Sequence, residues 1–249
     1  MRMIASIVAL VFLAAACSSN EPKSRHDEAM RTAASAPTRG RYRPAIDPDD
    51  FVREIDNRYF PLEPGTVIKL RGDTEDGVEQ ERIVVTDRTR EVMGVTTTVV
   101  KDIMRVEGEL AEVTEDWYAQ DVEGNVWYFG EDTAEYENGK PINTHGSWEA
   151  GVDGALPGII MSADPQVTDS YRQEFYKDEA EDMFWVVETG LRKSVPLGAY
   201  DDVVHVLEWT PLEPRIVVEK FYAPGVGLLS ETALSGGKEN VELLEITKP

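Results

Sequence analysis

His145, Glu149 and Asp153 recur at every fourth position in "HGSWEAGVDG". Residues four apart share one face of a helix, so on a helix this imidazole and two carboxylates could meet at a metal ion or at a substrate proton. Gly146, Gly151 and Gly154 lie among them and make a stable helix a poor host. No second histidine is close in sequence. His205 sits in "VVHVLEW", a strand-like run where a packed imidazole is the usual case, and His26 lies near the N-terminus. A dedicated metal site is therefore not predicted, and no cofactor is; a divalent cation held by carboxylates is the alternative left open. His145, Glu149 and Asp153 stand as the candidate catalytic residues.

A second stretch, "QDVEGNVWYFGED" (Gln120–Asp132), offers acids around a glycine and then three aromatics. Calcium loops place ligands at positions one, three, five and twelve, with a glycine at six. Counting from Asp121, Gly124 falls at the fourth position, and the flanks read as strands. A tight turn fits better, with Asp121 opening it and Gly124 closing it in a left-handed conformation. The strands either side then form a hairpin. Trp117 and Ala119 share one face and Tyr118 and Gln120 the other; on the return strand Trp127 and Phe129 oppose Val126 and Tyr128. Aromatics on both faces predict a central hairpin covered on both sides. Core packing is the favoured role, with Trp127, Tyr128 and Trp148 as the aromatic ligand-binding candidates.

The Gly-x-Ser-x-Gly nucleophile motif is missing from the sequence. Carboxylate pairs of the glycosidase kind stay open, because sequence spacing does not fix their separation of roughly 5–10 Å. "EAEDM" (Glu179–Met183) is an acid cluster of the same ambiguous kind.

The elements that must position these residues read as strands. Runs alternating with period two and rich in Val, Thr, Tyr and Trp fill the chain after Ile46, for example "ERIVVTD", "GVTTTVVKDIMRVEG", "DDVVHVLEW" and "NVELLEI". Gly- and Pro-containing breakers separate them. The fold class predicted is all-β: an antiparallel meander of about ten to twelve strands, curled into a barrel or half-barrel to hide its edges. "DPDDFVREI" (Asp47–Ile55) is the one helical candidate. Asn138–Thr168 holds five glycines and three prolines with no clean strand. Its length, together with Trp148, Ile159, Ile160 and Met161, predicts a long packed loop, folded back over one open end or face of the sheet.

The N-terminus sets the location. Arg2 precedes an apolar run, Ile4–Ala16, too short to span a bilayer. It ends in Ala14-Ala15-Ala16-Cys17, which resembles the lipobox of bacterial lipoproteins. The resemblance implies cleavage before Cys17 and its lipidation. Cys17 is the single cysteine of the chain, so a disulfide within the chain is impossible. The domains expected are a signal peptide at 1–16, a lipidated Cys and flexible tether at 17–45, and one β-rich domain at 46–249. The tether carries six basic and three acidic residues, a net of +3, whereas the domain carries 18 basic and 44 acidic, a net of −26. So acidic a body repels phosphates, which argues against a nucleic-acid partner. The expected partner is the membrane, reached through Cys17. Ser18, following the cysteine, lacks the Asp that resembles an inner-membrane retention signal, which points to the outer membrane, or its periplasmic face, if the cell is Gram-negative.

Several phrases together, "RYFPLEPGT", "DWYAQDVEGNVWYFGE", "GSWEAGVDGALPGIIM", "VPLGAYDDVV" and "FYAPGVGLL", resemble a family of bacterial envelope proteins, many with lipoprotein signals. The resemblance spans about Arg58 to Ile246 and implies a single exported β-rich domain. It implies no activity and no catalytic residues. The function expected is a membrane-anchored binding or accessory module that holds a small apolar or amphipathic ligand inside a curled sheet. The alternatives are a hydrolase using carboxylates and His145, or a divalent-cation-binding envelope protein.

Overall fold

β-branched residues keep a pleated backbone and pack well on a sheet surface. In the computed structural model, which describes residues 42–249, the period-two runs become sixteen strands. They are β1 (Phe51–Val52), β2 (Val67–Thr74), β3 (Gly77–Val92), β4 (Val95–Val106), β5 (Glu109–Asp121), β6 (Val126–Glu137), β7 (Lys140–Asn143) and β8 (Trp148–Glu149). There follow β9 (Leu156–Met161), β10 (Ser170–Arg172), β11 (Glu174–Phe175), β12 (Met183–Val195), β13 (Gly198–Trp209), β14 (Val217–Ala223), β15 (Gly227–Ser235) and β16 (Glu239–Thr247). The signal peptide, Cys17 and His26 lie outside the described residues.

One antiparallel sheet runs β10-β12-β13-β14-β15-β16-β2-β3-β4-β5-β6-β9-β11. Its ends, β10 and β11, are successive pieces of one extended segment, Ser170–Phe175. That segment pairs with β12 on one side, through Tyr171 and Phe184, and with β9 on the other, through Glu174 and Pro157. The meander thus curls into a nearly closed barrel, as expected. Bulges turn its corners: the register shifts between Val85 and Thr89 on β3, and three times between β12 and β13. At the seam Gly158 comes so close to the crossing segment that a Cβ there would lie 2.3 Å from the Gln173 backbone.

Two expectations are corrected. Asp47–Ile55 forms a single 3₁₀ turn, Pro48–Asp50, and then β1. Asp47 caps the turn through its side chain, which accepts from the Asp49 N–H at 3.1 Å, but Phe51 is drawn out to pair with Asp121 of β5. The interval Asn138–Thr168 packs, but as wall and not as a lid. Leu156–Met161 is β9, a barrel strand paired with β6, and Trp148–Glu149 bridges to Gly130 and Glu131. Its glycines supply turns between short strands, so period-two reading broke down over pieces of two to six residues. The packed body also reaches further back than Ile46. Tyr42 is buried, its hydroxyl donates to the Pro157 carbonyl at 2.7 Å, and its ring meets Phe175 edge-on.

The β5–β6 hairpin is covered on both faces. Tyr118 and Tyr128 stack at 4.8 Å on one face, and Phe51 meets Trp127 and Phe129 edge-on across the other. One end of the barrel is plugged by the segment before β2. Asn57, buried there, fixes it: Asn57 N–H donates to Gln120 Oε1, Nδ2 donates to the Gly124 and Ser162 carbonyls, and Oδ1 accepts from Tyr59 and Phe60 N–H groups. Phe60 is thereby pressed into the barrel against Tyr118 and Tyr222.

Candidate ligand-binding site

Alternate residues of a strand point to the same side, and the inward rows of β3, β4, β5, β14 and β15 carry charge. Glu81, Asp102, Asp116 and Glu231, with Lys220, form one wall of a 210 Å³ cavity above the plug. Phe60, Leu62, Ile68, Ile83, Ile160 and Leu228 supply the apolar wall, and Tyr118 and Tyr222 stand between the two. Glu81, Asp102, Asp116, Glu231 and Lys220 each keep some accessible surface while lying deep among other side chains, because that surface faces the cavity.

Charge is poorly solvated there, and the protonation states follow. Desolvation works against the Lys220 ammonium, but Glu208 Oε1 at 2.8 Å and Glu231 Oε2 at 3.2 Å outweigh it and hold its pKa well above the usual lysine value. Desolvation pushes the Glu231 carboxyl up to about 7, with Lys220 opposing. It pushes Asp116 up to about 7 as well, although the Tyr128 hydroxyl donates to Asp116 Oδ1 at 2.6 Å. Neighbouring Glu131 rises to about 8, through desolvation and then the Asp116 charge. Glu81 and Asp102 share a hydrogen bond, so one of them holds a proton. Desolvation and then the Asp102 charge drive Glu81 well above the carboxylate range, which makes Glu81 the protonated member. Asp102 Oδ1 is buried and finds no hydrogen-bond partner.

The residues singled out from sequence lie elsewhere. His145 is exposed in a turn, its N–H donating to Asn143 Oδ1 at 2.9 Å. Glu149 sits on β8, with Arg90 at 2.5 Å. Asp153 is exposed at a left-handed turn position, φ 50°. None of the three lines the cavity. Among the described residues no three His, Cys, Asp or Glu side chains are grouped to hold a metal ion. Trp127 and Trp148 are buried, with Trp148 edge-on to Tyr128 at 5.4 Å. Tyr128 is the one aromatic candidate that touches the cavity wall, through Asp116. His205 packs on its strand, stacked on Phe221 at 4.4 Å, with Glu219 3.0 Å from its Nε2.

The acidic turn has a structural role. Gly124 closes it at φ 92°, its N–H donating to the Asp121 carbonyl. The Asp121 carboxylate accepts from the Glu123 and Asn125 N–H groups, from Asn125 Nδ2 and from the buried Trp127 indole at 2.8 Å. Sequence reading missed Glu81, Asp102, Asp116, Lys220 and Glu231. Their signal was present in "EQERIVV", "VVKDIM", "EVTEDWY", "VVEKFY" and "LLSETAL", where charges stand inside otherwise β-forming runs. Alternation alone does not tell an inward acidic row from a solvated one.

No family model matches the chain, and no curated protein matches it. Among solved structures it is similar to a crystal structure from Parabacteroides distasonis ATCC 8503 described as a "putative lipoprotein". The TM-score is 0.42 and the identity 13%, over 77% of this chain and 100% of that one. That likeness is loose.

Proposed function

We propose that the chain is an exported envelope lipoprotein, anchored through Cys17, whose barrel is a binding module for one small amphipathic ligand. The observation that carries this reading is the cavity, apolar against the plug and polar across from it, inside a barrel whose strands could have filled it with side chains. Its 210 Å³ is below the roughly 300–1,000 Å³ of pockets for drug-sized molecules, so the ligand is small. The lipobox-like Ala14–Cys17 and the resemblance to envelope proteins support the location. Acyl chains on Cys17 would each contribute about 0.8 kcal/mol per buried methylene.

A second reading, a carboxylate-dependent hydrolase, draws on Asp116 near 7 and Glu131 near 8, values suited to proton transfer at neutral pH. Thermal-shift measurements with hexylamine, hexanol and hexanoate test the binding reading. At least one should raise the melting temperature, and Ile160→Trp or Leu228→Phe, which fill the cavity, should abolish the rise. Stabilisation that persists in both variants would place binding elsewhere and sink the proposal.

A further inference from the structure

The barrel end opposite the plug is open and acidic. There a mouth of 520 Å³ is lined by Glu75, Asp76, Glu79, Glu112, Glu135 and Glu239, with Lys238 as the one cation among its lining residues. Mouth and cavity are successive layers of the same rows. Glu79 is followed two residues on by Glu81 along β3, Met104 is preceded by Asp102 along β4, and Val218 is followed by Lys220 along β14. A narrow cleft of one sign, walled by low-dielectric protein, concentrates ions of the opposite sign.

Inside, the wall is one cation short. Lys220 is already held by Glu208 and Glu231. Glu81, Asp102 and Asp116 are left with the Tyr128 hydroxyl, backbone N–H groups and each other, with no cation among them, and the buried Asp102 Oδ1 has no hydrogen-bond partner. A buried polar atom without a partner costs about 1–3 kcal/mol, and more when charged, unless a ligand supplies the donor.

Resting on the cavity as the ligand site, we infer that the polar end of the ligand is a protonated amine, which enters by the acidic mouth and donates to Asp102, with its carbon body against Ile83, Ile160 and Leu228. A bare metal ion fits less well, since no three ligating side chains converge among the described residues and half of the wall is apolar. A carboxylate head would face like charge. A hydroxyl head could donate one hydrogen bond but would leave the wall without a counter-charge.

Isothermal titration of the full-length protein in detergent at pH 8, with hexylamine, hexanol and hexanoate, tests this. Hexylamine should bind about tenfold tighter than hexanol, the difference between a charged and a neutral hydrogen bond, and hexanoate weakest. In Asp102→Asn hexanol affinity should stay within about twofold while the amine preference falls below about threefold; Glu81→Gln, which keeps an uncharged donor beside Asp102, should retain the preference. Equal binding of amine and alcohol, or a preference unchanged in Asp102→Asn, would overturn the amine assignment and leave the cavity standing. No binding by any of the three would overturn both.

Discussion

Replacing Asp116 by Asn should make the protein more stable at alkaline pH and flatten its pH dependence. The carboxyl has a folded pKa of about 7, against an ordinary 3.8, because desolvation outweighs the Tyr128 hydrogen bond. A carboxyl raised on folding keeps its proton in the native state while the unfolded chain has lost it. Its contribution is thus fully present below the unfolded value and is lost as pH rises through the folded one. Between pH 5 and pH 8 these values imply a loss of about 2–3 kcal/mol from Asp116 alone, at about 1.36 kcal/mol per pKa unit. Asn keeps the acceptor for Tyr128 and cannot ionise. Urea unfolding of both proteins at pH 5 and pH 8 gives the difference of differences. Wild type should lose about 2–3 kcal/mol more than Asp116→Asn over that interval. Glu231 and Asp182, raised to about 7 and 6, remain in both and largely cancel, whereas Glu131, raised to about 8 in part by the Asp116 charge, is lowered in Asp116→Asn and adds to the difference. Parallel pH profiles for the two proteins would show that Asp116 is solvated, and would remove the electrostatic description of the cavity.

Gly158→Ala should lower the melting temperature and speed proteolytic cutting near Gln173, because the new Cβ would lie 2.3 Å from its backbone and force the seam apart; a wild-type melting curve would refute the seam. Asp121→Ala should cost about 2–4 kcal/mol in urea unfolding, since it strips the buried Trp127 indole and the Asn125 amide of their acceptor. A loss under about 0.5 kcal/mol would show that water replaces it. Cys17→Ser should move the protein from the membrane pellet to the soluble fraction, and retention after a salt wash would exclude lipidation as the anchor.

Much of the fold was legible in the sequence because strand periodicity and turn chemistry are local. Gly94–Gly108 reads as a strand from its β-branched run, and Asp121 to Asn125 reads as a turn from residue types alone; the structure has both. Closure was legible only as a need to hide edges. How Ser170–Phe175 bridges β12 and β9 depends on contacts between residues far apart in sequence. The pieces β7, β8 and β9 were hidden because strands of two to six residues are too short for alternation to show. The functional residues were hidden for a different reason. Charged side chains on alternate strand positions ordinarily face water, and only barrel closure turns Glu81, Asp102 and Asp116 inward. His145, Glu149 and Asp153 drew notice through a helical spacing that the local chain does not adopt.

The most direct test of the cavity as ligand site is anomalous scattering from crystals of the protein soaked in bromohexylamine and in bromohexanol. The bromine marks the far end of the carbon chain whatever the head does. A peak among Ile83, Ile160 and Leu228 is the predicted result. Binding in solution with the only bromine peaks on the outer surface of the barrel would contradict it.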